Sequence, residues 1–246
     1  MKGAVRANFD ASVEAYEAYE RETGRFTELT RSLLAEMTEH AERYPGRILD
    51  AGAGTGVSTS VLARAGTTVA LDTSREMLRA NGTSRRVQGD FDRLPFASDS
   101  FDAVAFTASL FLVPEPAVAV AEARRVLRPG GVVGAVAPGG WETPDGDDPF
   151  RELGRESRSP VSAAAVREAI AAGFETTTGS WRFRTTAGEV RLFHEIPAMA
   201  ARLFPDEPPT SRVRKARAVL DPLAGPLAHR WEWTLGRWPS GATDRD

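Results

Sequence analysis

From Arg47 to Val57 the chain reads Arg-Ile-Leu-Asp-Ala-Gly-Ala-Gly-Thr-Gly-Val. A short apolar strand ends in an acid, Asp50, runs into glycines at every second position (Gly52, Gly54, Gly56) and continues into a helix. Glycine has no Cβ, so the backbone can turn sharply there and approach a ligand closely, with helix amides facing it. That arrangement holds a nucleotide-like cofactor at the C-terminal edge of a parallel sheet. The spacing is not the dinucleotide fingerprint, whose third glycine would fall on Val57. Asp72 closes the next apolar run, 20 residues after Gly52. A carboxylate there can accept hydrogen bonds from both hydroxyls of a ribose, a use shared by more than one adenosine cofactor. The competing reading of Asp72 is a turn aspartate ahead of a helix starting at Ser74. Asp90, in Gln88-Gly89-Asp90-Phe91, ends a third run, where turn chemistry is again the simpler reading of a lone Gly-Asp.

Positioning these residues requires alternating strands and helices. Phe26, Leu29, Leu33, Leu34 and Met37 recur at helical spacing in an Ala-, Glu-, Arg- and Leu-rich stretch from Asn8 to Glu42. After Pro45-Gly46 the pattern predicts strands at Arg47–Asp50, Thr68–Asp72, Arg85–Asp90, Phe101–Phe106 and Val132–Ala137. Helices fall between them at Ser58–Ala65, Ser74–Ala80 and Glu115–Leu127, and the second has Thr73-Ser74 as its cap. The Gly-, Pro-, Asp- and Arg-rich stretch Gly139–Ser159 reads as a loop. A helix at Ser162–Ala172 and a strand from Phe174 to Arg184 follow. Glu189–Phe204 is a helical stripe interrupted at Pro197, Ser211–Leu220 is another helix, and the alternation around His229–Leu235 makes a final half-buried strand. The tail after Pro239 reads as frayed. Such alternation implies a doubly wound α/β fold with a mostly parallel sheet.

Taken together, these blocks resemble the class I S-adenosylmethionine (SAM)-dependent methyltransferases of small molecules, especially the ubiquinone/menaquinone methylase-like (methyltransferase type 11) group. The resemblance rests on Leu49-Asp50-Ala51-Gly52-Ala53-Gly54-Thr55-Gly56, on Asp72, on the Gly89-Asp90 region with Leu94-Pro95-Phe96 and Ser98–Asp102, and on Leu127-Arg128-Pro129-Gly130-Gly131-Val132-Val133. It covers about Ile48–Val136, rather more than a third of the chain. It implies a seven-stranded sheet in the order 3-2-1-4-5-7-6 with an antiparallel last strand. One methyltransferase domain is expected over 1–246: a helical cap at 1–45, a cofactor core at 46–138, and the rest of the sheet at 139–246 with cap helices at 189–220. Both helical parts should close over the cofactor edge.

The resemblance also implies roles. Asp50, Gly52, Ala53, Gly54 and Gly56 would surround the methionine part of SAM, with Asp50 serving its ammonium group. Asp72 and Thr73 would hold the ribose, and Met77 would pack on the adenine. Asp90 and Phe91 would recognise the adenine from the other side, while Thr107 and Ala108 would lie beside the sulfonium. The product would be S-adenosylhomocysteine. In the helix-to-strand junction, the glycines would end the helix ahead of strand five.

The acceptor is less legible. Ser109-Leu110-Phe111-Leu112-Val113 is almost wholly apolar where many relatives carry a histidine or other polar group. That suggests an apolar acceptor surface, with Tyr16, Tyr19, Phe111, Leu112, Phe193 and Ile196 as candidate walls and His194 as the candidate base. Trp181, Trp231 and Trp233 read as core, and Arg212, Arg214, Lys215 and Arg217 as a solvated helix face. A small-molecule acceptor is expected rather than nucleic acid. With 31 basic against 34 acidic residues there is no global basic field. No Asp/Asn-Pro-Pro-aromatic motif follows strand four. The absence of cysteine removes zinc-thiolate sites and disulfides, and no metal is expected. No apolar run approaches a membrane span, and the N-terminus lacks the apolar block of a signal peptide, so a cytoplasmic location is expected. The alternatives are an NAD(P)-dependent oxidoreductase and a non-catalytic SAM-binding regulatory protein.

Overall fold

The computed structural model describes residues 2–42, 45–153 and 161–240. Residues 154–159 of the expected loop and 241–246 of the tail lie outside the described residues. Seven strands form one sheet in the expected order β3-β2-β1-β4-β5-β7-β6. The parallel part comprises β1 (Arg47–Ala51), β2 (Thr67–Asp72), β3 (Arg86–Gln88), β4 (Phe101–Phe106) and the first half of β5 (Leu127–Glu142). β7 (Pro226–Arg237) runs antiparallel between β5 and β6 (Glu175–Thr186). The central strands are continuous apolar runs because both faces are covered; Ile48, Leu49, Ala103, Val104, Phe106, Val132 and Val133 are all buried.

The crossover helices are α4 (Val57–Leu62), α5 (Arg75–Ala80) and α6 (Pro116–Val126), with α8 (Ala163–Ala171) ahead of β6. Ser74 caps α5 as expected, its Oγ accepting from the Met77 amide at 3.1 Å. The α6–β5 junction departs from expectation. α6 stops at Val126 and Leu127 is already extended, pairing with Phe101. The register then slips before Ala103 meets Val132, and Gly130, at φ +82°, sits in that irregularity. The glycines therefore serve a bulge rather than a helix end.

The N-terminal helices are α1 (Lys2–Asp10), α2 (Val13–Thr23) and α3 (Arg25–His40). α3 buries Leu29, Leu33 and Met37 against the sheet, and a Cβ on Gly134 of β5 would lie 2.7 Å from the Met37 sulfur. Most of α3 is thus a sheet-face helix, so the stretch 1–45 is only in part a cap.

The region read as a loop from Gly139 begins as strand. β5 continues to Glu142, pairing with β7 through a register shift between Pro138 and Gly140, and the short helix α7 (Pro149–Glu152) follows. This ribbon carries the cap beyond the parallel sheet. α9 (Ala187–Phe193), α10 (Pro197–Ala200) and α11 (Pro209–Leu220) form a second apolar cluster with Tyr19, Phe26, Trp141 and Phe150. Pro197 starts α10, so the helical stripe breaks where expected. Arg212 donates to the Glu207 carbonyl and to Asn8 Oδ1, while Lys215 and Arg217 pair with Glu207 and Glu195. Much of the basic run therefore braces the cap. Among the described residues no helix is long and apolar enough to cross a membrane.

Candidate active site

The glycine turn after β1 is shaped by its neighbours. Gly52 has φ +85°, and a Cβ there would lie 2.4 Å from Ser109 Cβ. Ser109, just after β4, donates its hydroxyl to the Ala51 carbonyl at 2.6 Å and so ties the two strand ends together. Gly54, at φ +51°, meets nothing closer than the Met77 sulfur at 4.0 Å, because its side-chain position opens into a cavity. Gly56, at φ +95°, is different: a Cβ would strike Asn81 Oδ1 at 2.7 Å, so that glycine makes room for Asn81 rather than for a ligand.

Asp72 does two jobs at once. Its Oδ2 accepts from the Gly54 amide at 2.9 Å and its Oδ1 from the Ser74 amide at 2.8 Å. It is therefore the turn aspartate of the bland reading, and it also faces the cavity. Burial raises its pKa against the pull of these amides.

Asp50 lies fully buried beneath the glycine turn. Ser58 and Thr59 donate to its Oδ2 at 2.8 and 2.6 Å, while its Oδ1 has no hydrogen-bond partner among the described residues. Burial pushes its pKa up to about 6, with Asp72 adding to the shift.

A cavity of about 950 Å³, counted out to its open mouth, runs along the C-terminal edge of the sheet. Of the residues expected from sequence it gathers Gly52, Gly54, Asp72, Thr73, Met77, Asp90, Phe91, Thr107 and Ala108 on the cofactor side. On the cap side it gathers Tyr16, Phe111, Leu112 and Phe193. Phe91 packs edge-on against Phe106 at 5.4 Å. Ala108 holds a left-handed φ of +58°, uncommon for a residue with a Cβ and a mark of a constrained turn. Burial and nearby Glu20, Asp50 and Asp72 raise the Tyr16 pKa, so its phenol stays protonated.

Other expected residues lie off the wall. Asp50, beneath the turn, and Ala53 and Gly56, within it, do not line the cavity. Tyr19 and Ile196 are buried in the cap cluster, where Tyr19 meets Phe26 and Phe193 edge-on. His194 is also buried in the cap, among Trp141, Phe150 and Phe193. Its Nδ1 is 2.8 Å from the Val190 carbonyl, and desolvation lowers its pKa to about 4. A helix histidine reads from sequence as solvated or catalytic; here the apolar neighbours on α7, α9 and β5 enclose it. Sequence reasoning missed Val5, Phe9, Phe26, Met199, Arg202 and Trp231 as walls. Phe26 and Met199 sat on helical stripes and Trp231 on a strand alternation, signals that mark an inward face but do not separate a core from a cavity wall.

With this geometry in hand, comparison with known proteins is informative. Residues 49–134 match the model of the methyltransferase domain family. The matched segment runs from β1 into β5 and contains every cradle residue from Asp50 onward named for the cofactor. This segment is therefore similar to the methyltransferase domain family, for which SAM is the expected cofactor. A demethylmenaquinone methyltransferase from Renibacterium salmoninarum is 49% identical over 94 residues, 35% of this chain and 39% of that protein. An uncharacterised 37.1 kDa protein of transposon TN4556 from Streptomyces fradiae is 33% identical over 158 residues, 58% of this chain and 45% of that one. The chain spans less than half the length of these curated relatives. A solved SAM-dependent methyltransferase from Thermotoga maritima shares the fold, with a TM-score of 0.56 at 17% identity, covering 95% of this chain and 99% of that one. The cradle fits the cofactor on two counts: a buried Asp50 oxygen lacks a partner among the described residues, and the Gly54 position opens into the cavity.

Proposed function

We propose that this chain transfers a methyl group from SAM to a small, partly apolar acceptor. The observation that carries the proposal is one continuous cavity with an acid- and glycine-lined end and an apolar, cap-lined end. When bound, the cofactor supplies an electrophilic sulfonium methyl that a nucleophile displaces in line. The residues of the chain supply alignment and exclusion of water. Asp72 has lone pairs beyond those taken by the Gly54 and Ser74 amides and can accept from ribose hydroxyls. Asp90 and Phe91 border the adenine end, and Asp50, behind the turn with one oxygen unpartnered among the described residues, can compensate an ammonium charge through water. Phe111, Leu112, Phe193 and Met199 orient the acceptor and keep water out, and such positioning can supply roughly 7–11 kcal/mol of a barrier. No proton transfer is assigned to His194, which lies off the wall and is a weak base. The acceptor then reacts as an already nucleophilic atom, or loses its proton to solvent.

The demethylmenaquinone relative does not fix the acceptor, because the matched family segment ends at residue 134, before Phe193, Met199, Arg202 and Trp231. Calorimetry with SAM, S-adenosylhomocysteine and NAD tests the reading. Binding of the first two in preference to NAD is expected; preference for NAD would favour an oxidoreductase. Cofactor binding without turnover across a broad acceptor panel would favour a regulatory SAM-binding protein.

A further inference from the structure

Two histidines face each other across the seam between the β5–β7 ribbon and the cap. His229, on β7, stacks on Trp141 of β5 at 3.6 Å. His194, just after α9, stands 6.1 Å from the same Trp141 ring. Phe193, which lines the cavity, meets both histidines edge-on, at 5.2 and 5.6 Å. Both histidines are buried. The Val190 carbonyl, 2.8 Å from His194 Nδ1, can only accept, so the neutral ring carries its proton there. A second proton would go to Nε2, which has no hydrogen-bond partner among the described residues. Neither ring nitrogen of His229 has one among them either.

The charged groups that act on the pair oppose protonation. Burial, and then Arg202 beyond α10, disfavour charge on both rings. At His229, His194 and Arg25 at the start of α3 add to this. The acids of the packed elements are engaged elsewhere. Asp148, capping α7, accepts from the Phe150 amide, and Glu189 of α9 accepts from the Thr185 hydroxyl. Glu195 pairs with Arg217 of α11. Glu142 and Glu232 pair with Arg230, and Glu142 also with Arg182 of β6, on the opposite face of the ribbon. The Tyr19 phenol, beside Phe193, has its pKa pushed up to about 12 by burial and stays neutral. The His194 pKa falls to about 4, and that of His229 lies well below its ordinary value. As neutral rings the two histidines are aromatic packing. Charged, either would place a cation in an apolar seam.

We propose that His194 and His229 form an acid-released latch that holds the cap on the ribbon. Protonation of the rings parts α9 and α10 from β5 and β7 and opens the cavity at Phe193, while the parallel sheet stays folded. The hold is complete above pH 6.5, the ordinary histidine value, and declines as pH falls from there toward about 4. At pH 5.5 each ring shifts the balance about tenfold toward the open cap, and the two together about a hundredfold. The consequence for acceptor alignment rests on the methyl-transfer reading, whereas the opening itself does not.

The test is hydrogen exchange of the full chain at pH 7.5 and 5.5, corrected for the intrinsic pH dependence of exchange. The opening constant of residues 187–204 is expected to rise about a hundredfold at pH 5.5, and that of β4 at least tenfold less. The double variant His194→Leu with His229→Phe should lose the response. Each single substitution should remove about tenfold of it, which serves as the test where the double variant does not fold. No rise in residues 187–204, or an equal rise in β4, would overturn the proposal. Retention of the full response in a folded single or double variant would overturn it too. Calorimetry with S-adenosylhomocysteine at pH 7.5 tests the methyl-transfer reading separately. Normal binding with a cap indifferent to pH would remove the latch and leave methyl transfer standing. An acid-released cap in a protein that does not bind S-adenosylhomocysteine would do the reverse.

Discussion

In the proposed function, Asp50 sets the stability of the ligand-free fold against cofactor binding. Its carboxylate is fully buried, holds two hydroxyl donors on one oxygen and, among the described residues, none on the other, and burial pushes its pKa up to about 6. A raised carboxylate pKa means that the fold prefers the protonated form. Its contribution to stability is therefore complete below the unfolded value near 3.8 and is lost as pH rises through about 6. At about 1.36 kcal/mol per unit, the charge costs the ligand-free fold on the order of 3 kcal/mol at neutral pH. Asp50→Asn should recover part of this, raising ligand-free stability by roughly 1–2 kcal/mol in thermal melts at pH 7.5. The same variant should weaken S-adenosylhomocysteine binding. Lowering the pH from 7.5 to 5 should weaken it as well in the unaltered protein, by protonating Asp50. A variant that is less stable and binds normally would remove Asp50 from the cofactor account. Asp72→Ala should cost on the order of 1–3 kcal/mol of cofactor binding, read by calorimetry, because buried hydrogen bonds are lost.

Among the secondary-structure elements, the cap depends on a few polar ties across its seams. Ser74 Oγ donates to Asp10 Oδ1 at 2.6 Å, joining α1 to the start of α5. Ser12 Oγ accepts from the Ala198 amide at 3.0 Å, joining the start of α2 to α10. Val5, Phe9 and Tyr16 thereby roof the cavity. Ser74→Ala removes both a helix cap and the tie to Asp10, so a loss of about 1 kcal/mol in chemical denaturation is expected. Hydrogen exchange should also quicken in residues 2–10, and unchanged exchange there would show that α1 is held by packing alone. Phe193→Ala should destabilise the fold by about 3 kcal/mol, since Phe193 packs edge-on to Tyr19 and Trp141. If the cap forms the acceptor wall, this change raises the acceptor KM far more than the Kd for S-adenosylhomocysteine.

Across the whole molecule, the parallel half was legible because β1, β2 and β3 each lead into a chemically distinctive residue (Asp50, Asp72 and the Gly89-Asp90 pair) and β4 and β5 are apolar runs. The extension of β5 beyond Ala137 was not. Pro138-Gly139-Gly140 reads as a turn, and only the long-range pairing with β7, with Arg230 donating to the Gly139 carbonyl at 2.7 Å, keeps it extended. The cap-side wall of the cavity was half legible for a related reason. A helical stripe identifies the buried face of α9 and α10 but does not say whether that face meets a core or a cavity. His194 and Phe193 are neighbours in sequence, yet one is enclosed and the other lines the wall. Arg202 resembles any basic residue after a helix until the fold brings it to Phe111.

The central claim is that one cavity aligns a cofactor at the glycine turn with an acceptor under the cap. A crystal structure with S-adenosylhomocysteine bound tests it most directly. The ribose is expected on Asp72, the adenine between Met77 and Phe91, and the sulfur beside Thr107 and Ala108, facing the open space before Phe111 and Phe193. A cofactor bound elsewhere, or one whose sulfur faces away from the cap-lined end, would contradict the account.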